Sequence, residues 1–387
     1  MIPYGKQSIS KDDIEVVVNV LKSDWLTQGP TVPKFEQAIA NKCNVKYAVA
    51  VNSATSALEI ACQSLGLGPG KRLWTVPNTF VASANCALRC GASIDFVDIT
   101  SDTHNMCVNA LTRKLVEADT VNELPHIVVP VHFAGHSCDM KAIGTLAKKY
   151  GFKVVEDAAH AIGGTYDGNA VGSCKWSDAT VFSFHPVKII TAAEGGMVLT
   201  NNHALAQDME LRRSHGITKS PEMFTKVDAE PWHYEQIILG ANYRLTDIQA
   251  ALALSQLKRI NEFIGRRRNI SAKYDAAFKP NQSIITPVER PDAQSAWHLY
   301  TIEIVGGPKN RKSLYDFLRS KGVGVQIHYI PVHLQPYYRD LGFREGDFPI
   351  AEKYASRTIS LPLYPDMTDD DVAQVIDIVN SASAVTN

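Results

Sequence analysis

Val181-Phe-Ser-Phe-His-Pro-Val-Lys188-Ile-Ile-Thr-Ala-Ala-Glu-Gly-Gly196 joins two buried-strand patterns through a loop that carries one lysine. The apolar run that opens it reads as a strand, and His185-Pro186 stops it. Apolar character resumes through Met197-Val-Leu-Thr200. Strand, sharp turn, single lysine, Gly-Gly, strand is a way to present one amine inside a cavity. Burial disfavours the ammonium form, and the free amine can form an imine with an aldehyde. A loop lysine that keeps its charge in water is the ordinary alternative. The flanking sequence decides between them.

Upstream, a helix is expected over Lys11–Leu21, capped by Ser10, and a second over Val32–Lys42. Tyr47–Val51 reads as a buried strand, followed at once by Asn52-Ser-Ala-Thr-Ser-Ala-Leu58. Such a strand-to-helix turn leaves free backbone N–H groups at the positive end of a helix, a seat for a phosphate. Plain Ser/Thr capping is the other reading of that turn. The alternation continues with strands at Arg72–Pro77, Ser93–Val97, His126–Val131 and Phe152–Val155, and helices at Thr79–Cys90 and Met140–Tyr150. Alternating strands and helices predict an α/β fold with a mostly parallel sheet covered on both faces. In open sheets of that kind ligands gather beyond the carboxyl ends of the strands. The Ser/Thr turn, Asp157 and the Lys188 loop all fall at such ends.

After Thr200 a helix is expected over Ala204–Arg213 and a long one over Thr246–Asn261, with a further helix running to Phe278. Beyond Pro280 the pattern changes to strands at Leu299–Val305 and Val323–Ile330, with helices at Lys309–Lys321 and Asp369–Ser381. This predicts two domains: residues 1–250 with an N-terminal arm, and residues 251–387 as a smaller α+β unit entered through the long helix that starts near Thr246.

The formal charge of −1 gives no reason to expect nucleic acid or an anionic membrane as partner. No apolar run approaches the roughly 20 residues a membrane span needs, and the opening Met1-Ile-Pro-Tyr-Gly-Lys does not read as a signal peptide. Seven cysteines without a CxxC pair suit reduced thiols in the cytoplasm. Cys86 and Cys90 stand one helical turn apart, but no histidine or second cysteine pair accompanies them at ligand spacing, so no metal is expected.

Glu156-Asp157-Ala-Ala-His160 follows a strand directly. A carboxylate there could ligate a metal, act as a base, or pair with a protonated ring nitrogen, and the lysine favours the last. An imine-forming lysine, an aspartate for a pyridinium nitrogen and a helix N-terminus for a phosphate make up the minimum equipment for pyridoxal phosphate. The absence of G-x-G-x-x-G after the first strand argues against a dinucleotide-binding oxidoreductase.

Phe182-Ser-Phe-His-Pro-Val-Lys188 with Glu194-Gly-Gly, Glu156–His160, Asn52–Leu58 and Asn242-Tyr-Arg-Leu-Thr-Asp-Ile-Gln249 together resemble the DegT/DnrJ/EryC1/StrS sugar aminotransferases, in order and over essentially the whole chain. Within that family the chain looks closest to the transaminases of pseudaminic acid biosynthesis. The resemblance implies fold type I of the PLP-dependent transferases (aspartate aminotransferase-like), a homodimer, and pyridoxal 5'-phosphate that cycles through its pyridoxamine form.

It also implies roles. Lys188 would hold the cofactor and move the proton; Asp157 would keep the ring nitrogen protonated. His160 would stand beside the ring and Phe80 stack on it, while Ala54, Thr55 and Ser183 would bind the phosphate with Asn242 of the neighbouring subunit. Tyr4, Asp24, Trp25, Leu26, Thr27, Ser53, Gln326, Ile327, His328 and Tyr329 would meet the sugar nucleotide. The implied reaction moves an amino group from L-glutamate to the C4 ketone of a UDP-linked 4-keto-6-deoxy-N-acetylhexosamine. Another nucleotide-linked keto-sugar, amination at C3, or a non-catalytic regulator of the same fold are the alternatives. Dehydratases of the family carry histidine in place of the lysine. Ile189-Ile-Thr-Ala-Ala departs from the commoner Asn-Ile-Thr-Thr-Gly and bears on local substrate contacts.

Overall fold

The computed structural model describes residues 1–383. Its centre is a seven-stranded sheet in the order Tyr47–Val51, Gly196–Thr200, Ala179–Ser183, Lys153–Asp157, Ile127–Val128, Arg72–Thr75, Ser93–Phe96. Gly196–Thr200 runs antiparallel to both of its neighbours, and the remaining pairings are parallel. One reversed strand has a consequence for chemistry. It brings Gly196, at its amino end, between the carboxyl ends of its neighbours, opposite Val51 on one side and Ser183 on the other. The loop between Ser183 and Gly196, which holds Lys188, therefore lies at the ligand-binding edge.

The strands are buried on both faces, and their side chains alternate between two separate apolar clusters. Val49, Val51, Val181 and Val198 point into one, with Leu58, Leu111 and Met209 from covering helices. Ala50, Phe182, Met197 and Leu199 point into the other, with Phe35, Ala250 and Phe263. Near-continuous Val/Ile/Leu runs are what two-sided burial requires.

Thr246 caps the helix Asp247–Lys258 through a reciprocal pair with Gln249, and Ser10 caps Lys11–Leu21 in the same way with Asp13. The helix Ile260–Phe278 changes partners along its length. Phe263 and Ile264 pack under the large sheet, whereas Ile270, Tyr274 and Phe278 join a third cluster. That third cluster fills the space around a three-stranded antiparallel sheet of Ile284–Ile285, Tyr300–Ile304 and Thr358–Leu361. Helices Pro308–Ser320 and Asp369–Ser383 accompany that sheet, and Ile2 of the N-terminal arm is part of its core.

Three expectations are corrected. Val323–Ile330 is not a strand: Val323 bridges Ile2 and Gln326 bridges Ser360, after which residues 326–329 leave the sheet to line a cavity. The helix expected from Thr79 begins at Ala82, because Thr79 and Phe80 form a turn on the same cavity. The strand expected over His126–Val131 shortens to Ile127–Val128, with Pro130 unable to donate to a ladder. The helices Val108–Thr120 and Pro349–Ala355 and the strand Thr358–Leu361 are additional to what the sequence pattern predicts.

Candidate active site

A cavity of about 620 Å³ opens at the carboxyl edge of the large sheet. Into it project the Ser53 turn, Asp157, Ser183 and the Lys188 loop. The loop is tied to itself: Phe184 N–H donates to Gly195 O and Ala192 N–H to Phe184 O, both at 2.9 Å, and Lys188 N–H donates to His185 O at 2.9 Å. Lys188 Nζ makes no hydrogen bond or ion pair among the described residues. Burial pulls this amine down to about 8, with the charge of Asp157 working in the opposite direction. At neutral pH about a tenth of it is the free amine, against well under a thousandth for an ordinary lysine.

Asp157 ends its strand with the carboxylate in the cavity. Ser83 Oγ donates to Oδ2 at 2.6 Å and the Ala159 amide to Oδ1 at 3.1 Å. Ser83 is itself paired with Thr79 Oγ1 at 2.8 Å. These two donors fix the direction in which the carboxylate faces the cavity.

The helix Ala54–Ser64 begins at the same edge. Ser53 caps it, its Oγ accepting from the Ser56 amide at 3.1 Å. Asn52 Oδ1 accepts from Ser56 Oγ at 2.6 Å. The amides of Ala54 and Thr55 have no intrahelical carbonyl to bond and face outward with the helix dipole behind them. Gly196 makes this cradle possible: a Cβ there would lie 2.4 Å from Ser53 O and 2.6 Å from the Ala54 nitrogen. Free amides for a phosphate, an anion for a ring nitrogen and an unpartnered amine together fit pyridoxal phosphate.

Most of the expected residues converge. Ala54, Thr55, Phe80, Asp157, His160, Ser183 and Lys188 all line the cavity, as do Tyr4, Ser53, Gln326, Ile327, His328 and Tyr329. Phe80 is 61 % exposed at the rim of this cavity. His160 Nε2 lies 3.2 Å from the Tyr329 hydroxyl, and His328 Nδ1 lies 2.7 Å from Ser360 Oγ. Burial first, and then Lys188, depress the His328 imidazole to about 4.

Asn242, Asp24, Trp25, Leu26 and Thr27 do not line the cavity of their own chain. Asn242 is exposed on a segment bridged to Ser214. The Asp24–Thr27 segment is tethered to the helix Asp247–Lys258: Thr27 bridges Thr246, and the Asp247 amide donates to Leu26 O at 3.0 Å. Asp247 also accepts from the amides of Gly29 and Thr31, each at 2.9 Å. Conversely Ser83, Thr79, Ala159 and His298 line the cavity without having been singled out from the sequence. Their places depend on tertiary packing, which the local sequence does not mark.

This fold and this edge define a pyridoxal-phosphate-dependent aminotransferase. Residues 7–380 match the DegT/DnrJ/EryC1/StrS aminotransferase family, and the chain belongs to it. It is 40 % identical over 382 residues to the spore coat polysaccharide biosynthesis protein SpsC of Bacillus subtilis, covering 98 % of this chain and 96 % of that one. It is 38 % identical over 384 residues to the UDP-4-amino-4,6-dideoxy-N-acetyl-beta-L-altrosamine transaminase of Campylobacter jejuni, covering 98 % and 97 %. Among solved structures it resembles Helicobacter pylori PseC, an aminotransferase of pseudaminic acid biosynthesis, with a TM-score of 0.90, 32 % identity and 99 % of both chains covered.

Proposed function

We propose that the protein moves an amino group from L-glutamate to the C4 ketone of a UDP-linked 4-keto-6-deoxy-N-acetylhexosamine, giving an L-altrose-type product. The observation that carries this reading is Lys188 Nζ, desolvated and without a hydrogen-bond partner among the described residues, in a cavity it shares with Asp157. Similarity to the Campylobacter transaminase and to PseC supports the choice of sugar.

Pyridoxal phosphate, when bound, supplies an electron sink through which the amino group leaves the donor and reaches the ketone. The chain's own residues do the rest. Asp157 would hold the proton on the ring nitrogen, and the hydrogen bond from Ser83 aims that carboxylate. Lys188 Nζ takes and returns the proton at the reacting carbon, which a depressed ammonium can do near neutral pH. The amides of Ala54 and Thr55, with Ser183, bind the phosphate, and Phe80 and His160 flank the ring. Tyr4, Ser53 and residues 326–329 offer hydroxyl, amide and imidazole groups to the sugar nucleotide.

The working unit in this reading is a cytoplasmic homodimer, in which a second copy contributes Asn242 and the Asp24–Thr27 segment. Their absence from the lining of their own cavity supports this, as does the exposure of Trp25 and Leu26 at 56 % and 48 %. The test is direct. Purified protein supplied with pyridoxal phosphate should absorb in the near-visible and bleach with L-glutamate. Borohydride should fix the chromophore on the peptide containing Lys188. Candidate UDP- and dTDP-ketosugars are then offered and the products weighed. No colour and no transamination would end the enzyme reading; turnover of a dTDP sugar alone would replace the substrate.

A further inference from the structure

His298 lines the same cavity, yet it belongs to none of the motifs singled out above. It follows Trp297, whose φ of +50° is left-handed, and precedes the strand Tyr300–Ile304. Left-handed backbone is rare for a bulky side chain and persists where the surroundings impose it. Here they do so from three sides. Trp297 N–H donates to Ser295 Oγ at 3.0 Å, and His298 N–H to Ala134 O at 2.9 Å. From beneath, Arg267 Nη1 donates to the carbonyls of Trp297, His298 and Leu363 at 3.2, 3.0 and 2.8 Å.

Arg267 is only 1 % exposed, forms no ion pair among the described residues and leaves its Nε unpartnered. Burial pulls the guanidinium down to about 9. An interior cation without a counter-ion is costly, so a fold that keeps one there is holding something in place. Gly135 points to the same spot. A Cβ on it would lie 2.9 Å from Trp297 N and 3.0 Å from both His160 O and His298 N.

What these contacts hold is an imidazole packed on another imidazole. The rings of His298 and His160 stand 4.4 Å apart at 45°. The Nδ1 atoms of both are sealed from solvent and have no hydrogen-bond partner among the described residues. Burial is the first cause that drives each ring well below its usual range; Lys188 and His328 add to it in both, and Arg267 adds to it in His298. Both rings are therefore neutral, each with one N–H and one lone pair, and each can supply what the other lacks.

We propose that His298 is a positioning residue: it orients His160 against the cofactor ring, and the two Nδ1 atoms pair as donor and acceptor when the site is filled. Active-site hydrogen bonds are often long before ligand binds and tighten afterwards. This rests on the placement of the cofactor beside Lys188 proposed above.

The experiment compares wild type with His298→Leu and His298→Asn. Asparagine places an amide where Nδ1 stood, whereas leucine fills space alone. Apoprotein is titrated with pyridoxal 5'-phosphate, the bound absorption maximum is recorded, and bleaching by L-glutamate is timed. Apoprotein melting serves as the control for folding. His298→Leu should slow bleaching by about tenfold, the scale of one buried hydrogen bond, displace the maximum and weaken cofactor binding. His298→Asn should recover most of each. An unchanged His298→Leu, or equal losses in both variants, overturns the proposal. Should His298→Leu not fold, His298→Asn is set against His298→Gln, whose amide reaches only the Nε2 position. Asn near wild type with Gln impaired supports the pairing, and equal behaviour overturns it. A colourless wild type overturns the function itself, and this inference with it; a coloured wild type with unaltered variants overturns this inference alone.

Discussion

Ser83 Oγ donates to Asp157 Oδ2 at 2.6 Å, the shorter of the two hydrogen bonds that hold this carboxylate. The pair joins the helix Ala82–Arg89 to the end of the strand Lys153–Asp157, so the aspartate is aimed by an element remote in sequence. Asp157→Asn removes the charge that would keep a ring nitrogen protonated. The rate of glutamate bleaching should fall by roughly 100-fold or more, as it does when other preorganised charges are removed from a reaction centre. Ser83→Ala keeps the charge and loses one donor, and should cost about tenfold, the equivalent of one hydrogen bond to a charged group. Stopped-flow absorbance of the half-reaction measures both. Equal rates for Ser83→Ala and wild type would remove the serine from the argument.

The depressed lysine has two readouts. Capture of pyridoxal phosphate by apoprotein should accelerate about tenfold per pH unit up to about 8 and level off above it, as the free amine becomes the major form. In Asp157→Asn the plateau should begin at lower pH, because the one charge that favours the ammonium is gone. The stability sign follows from proton counting. Between about 8 and the ordinary lysine value of ~10.4 the unfolded chain binds the proton and the folded chain does not, so stability rises with pH across that window. Lys188→Met should therefore melt above apo wild type at pH 7, with the gap narrowing as pH rises from 8 to 10. A constant gap would mean that the amine is not desolvated.

These residues differ in how visible they were beforehand. Lys188, Asp157 and the Ser53 turn sit where a strand pattern breaks into a loop or helix, and that break is local in sequence. Ser83 and His298 carry no such mark, since one is aimed by a helix packed across the sheet and the other by a buried arginine. The helix Val108–Thr120 is poorly legible in the sequence, because its buried stripe of Leu111, Leu115 and Ala118 is narrow and set among polar residues. The segment Val323–Ile330 has strand composition, but its last residues leave the sheet for the cavity, which a two-residue alternation cannot foretell. For Asn242 and Asp24–Thr27 the motif is legible in the sequence, but the cavity formed by their own chain does not include them.

Gly196 offers a test of the phosphate cradle. A Cβ would sit 2.4 Å from Ser53 O, a backbone atom that cannot swing aside as a side chain can. Gly196→Ala should push the Ser53 turn away from the strand and spoil the alignment of the Ala54 and Thr55 amides. Affinity for pyridoxal phosphate should fall about tenfold or more, whereas affinity for pyridoxal, which lacks the phosphate, should change little. Fluorescence titration of apoprotein with the two compounds separates a phosphate effect from general damage. Parallel losses would place the fault in the fold.

Beneath Asp157 the neighbouring Glu156 is buried in a closed network. His132 Nε2 donates to Glu156 Oε2 at 2.7 Å, and the Cys138 amide lies 3.2 Å from the other ring nitrogen. Ser177 and Thr180 hydroxyls donate to the other oxygen, at 2.5 and 3.0 Å. Burial pushes this carboxyl up, but these donors outweigh it and hold it below the usual range. The main chain braces the same place: Asp157 N–H donates to Pro130 O at 2.9 Å and His132 N–H to Asp157 O at 3.0 Å. His132→Ala would leave a buried carboxylate short of its main partner, at a cost of about 3–5 kcal/mol in denaturation free energy. Glu156→Gln keeps the shape and loses the charge, so its deficit should be smaller. A lowered carboxyl contributes stability above its unfolded value of ~4.3, and that contribution is lost as pH falls through the folded value. The gap between wild type and Glu156→Gln should thus be full at pH 6–7 and shrink on acidification below about 4. Urea denaturation across that range measures it, and a gap that widened in acid would show that Glu156 is protonated in the folded protein.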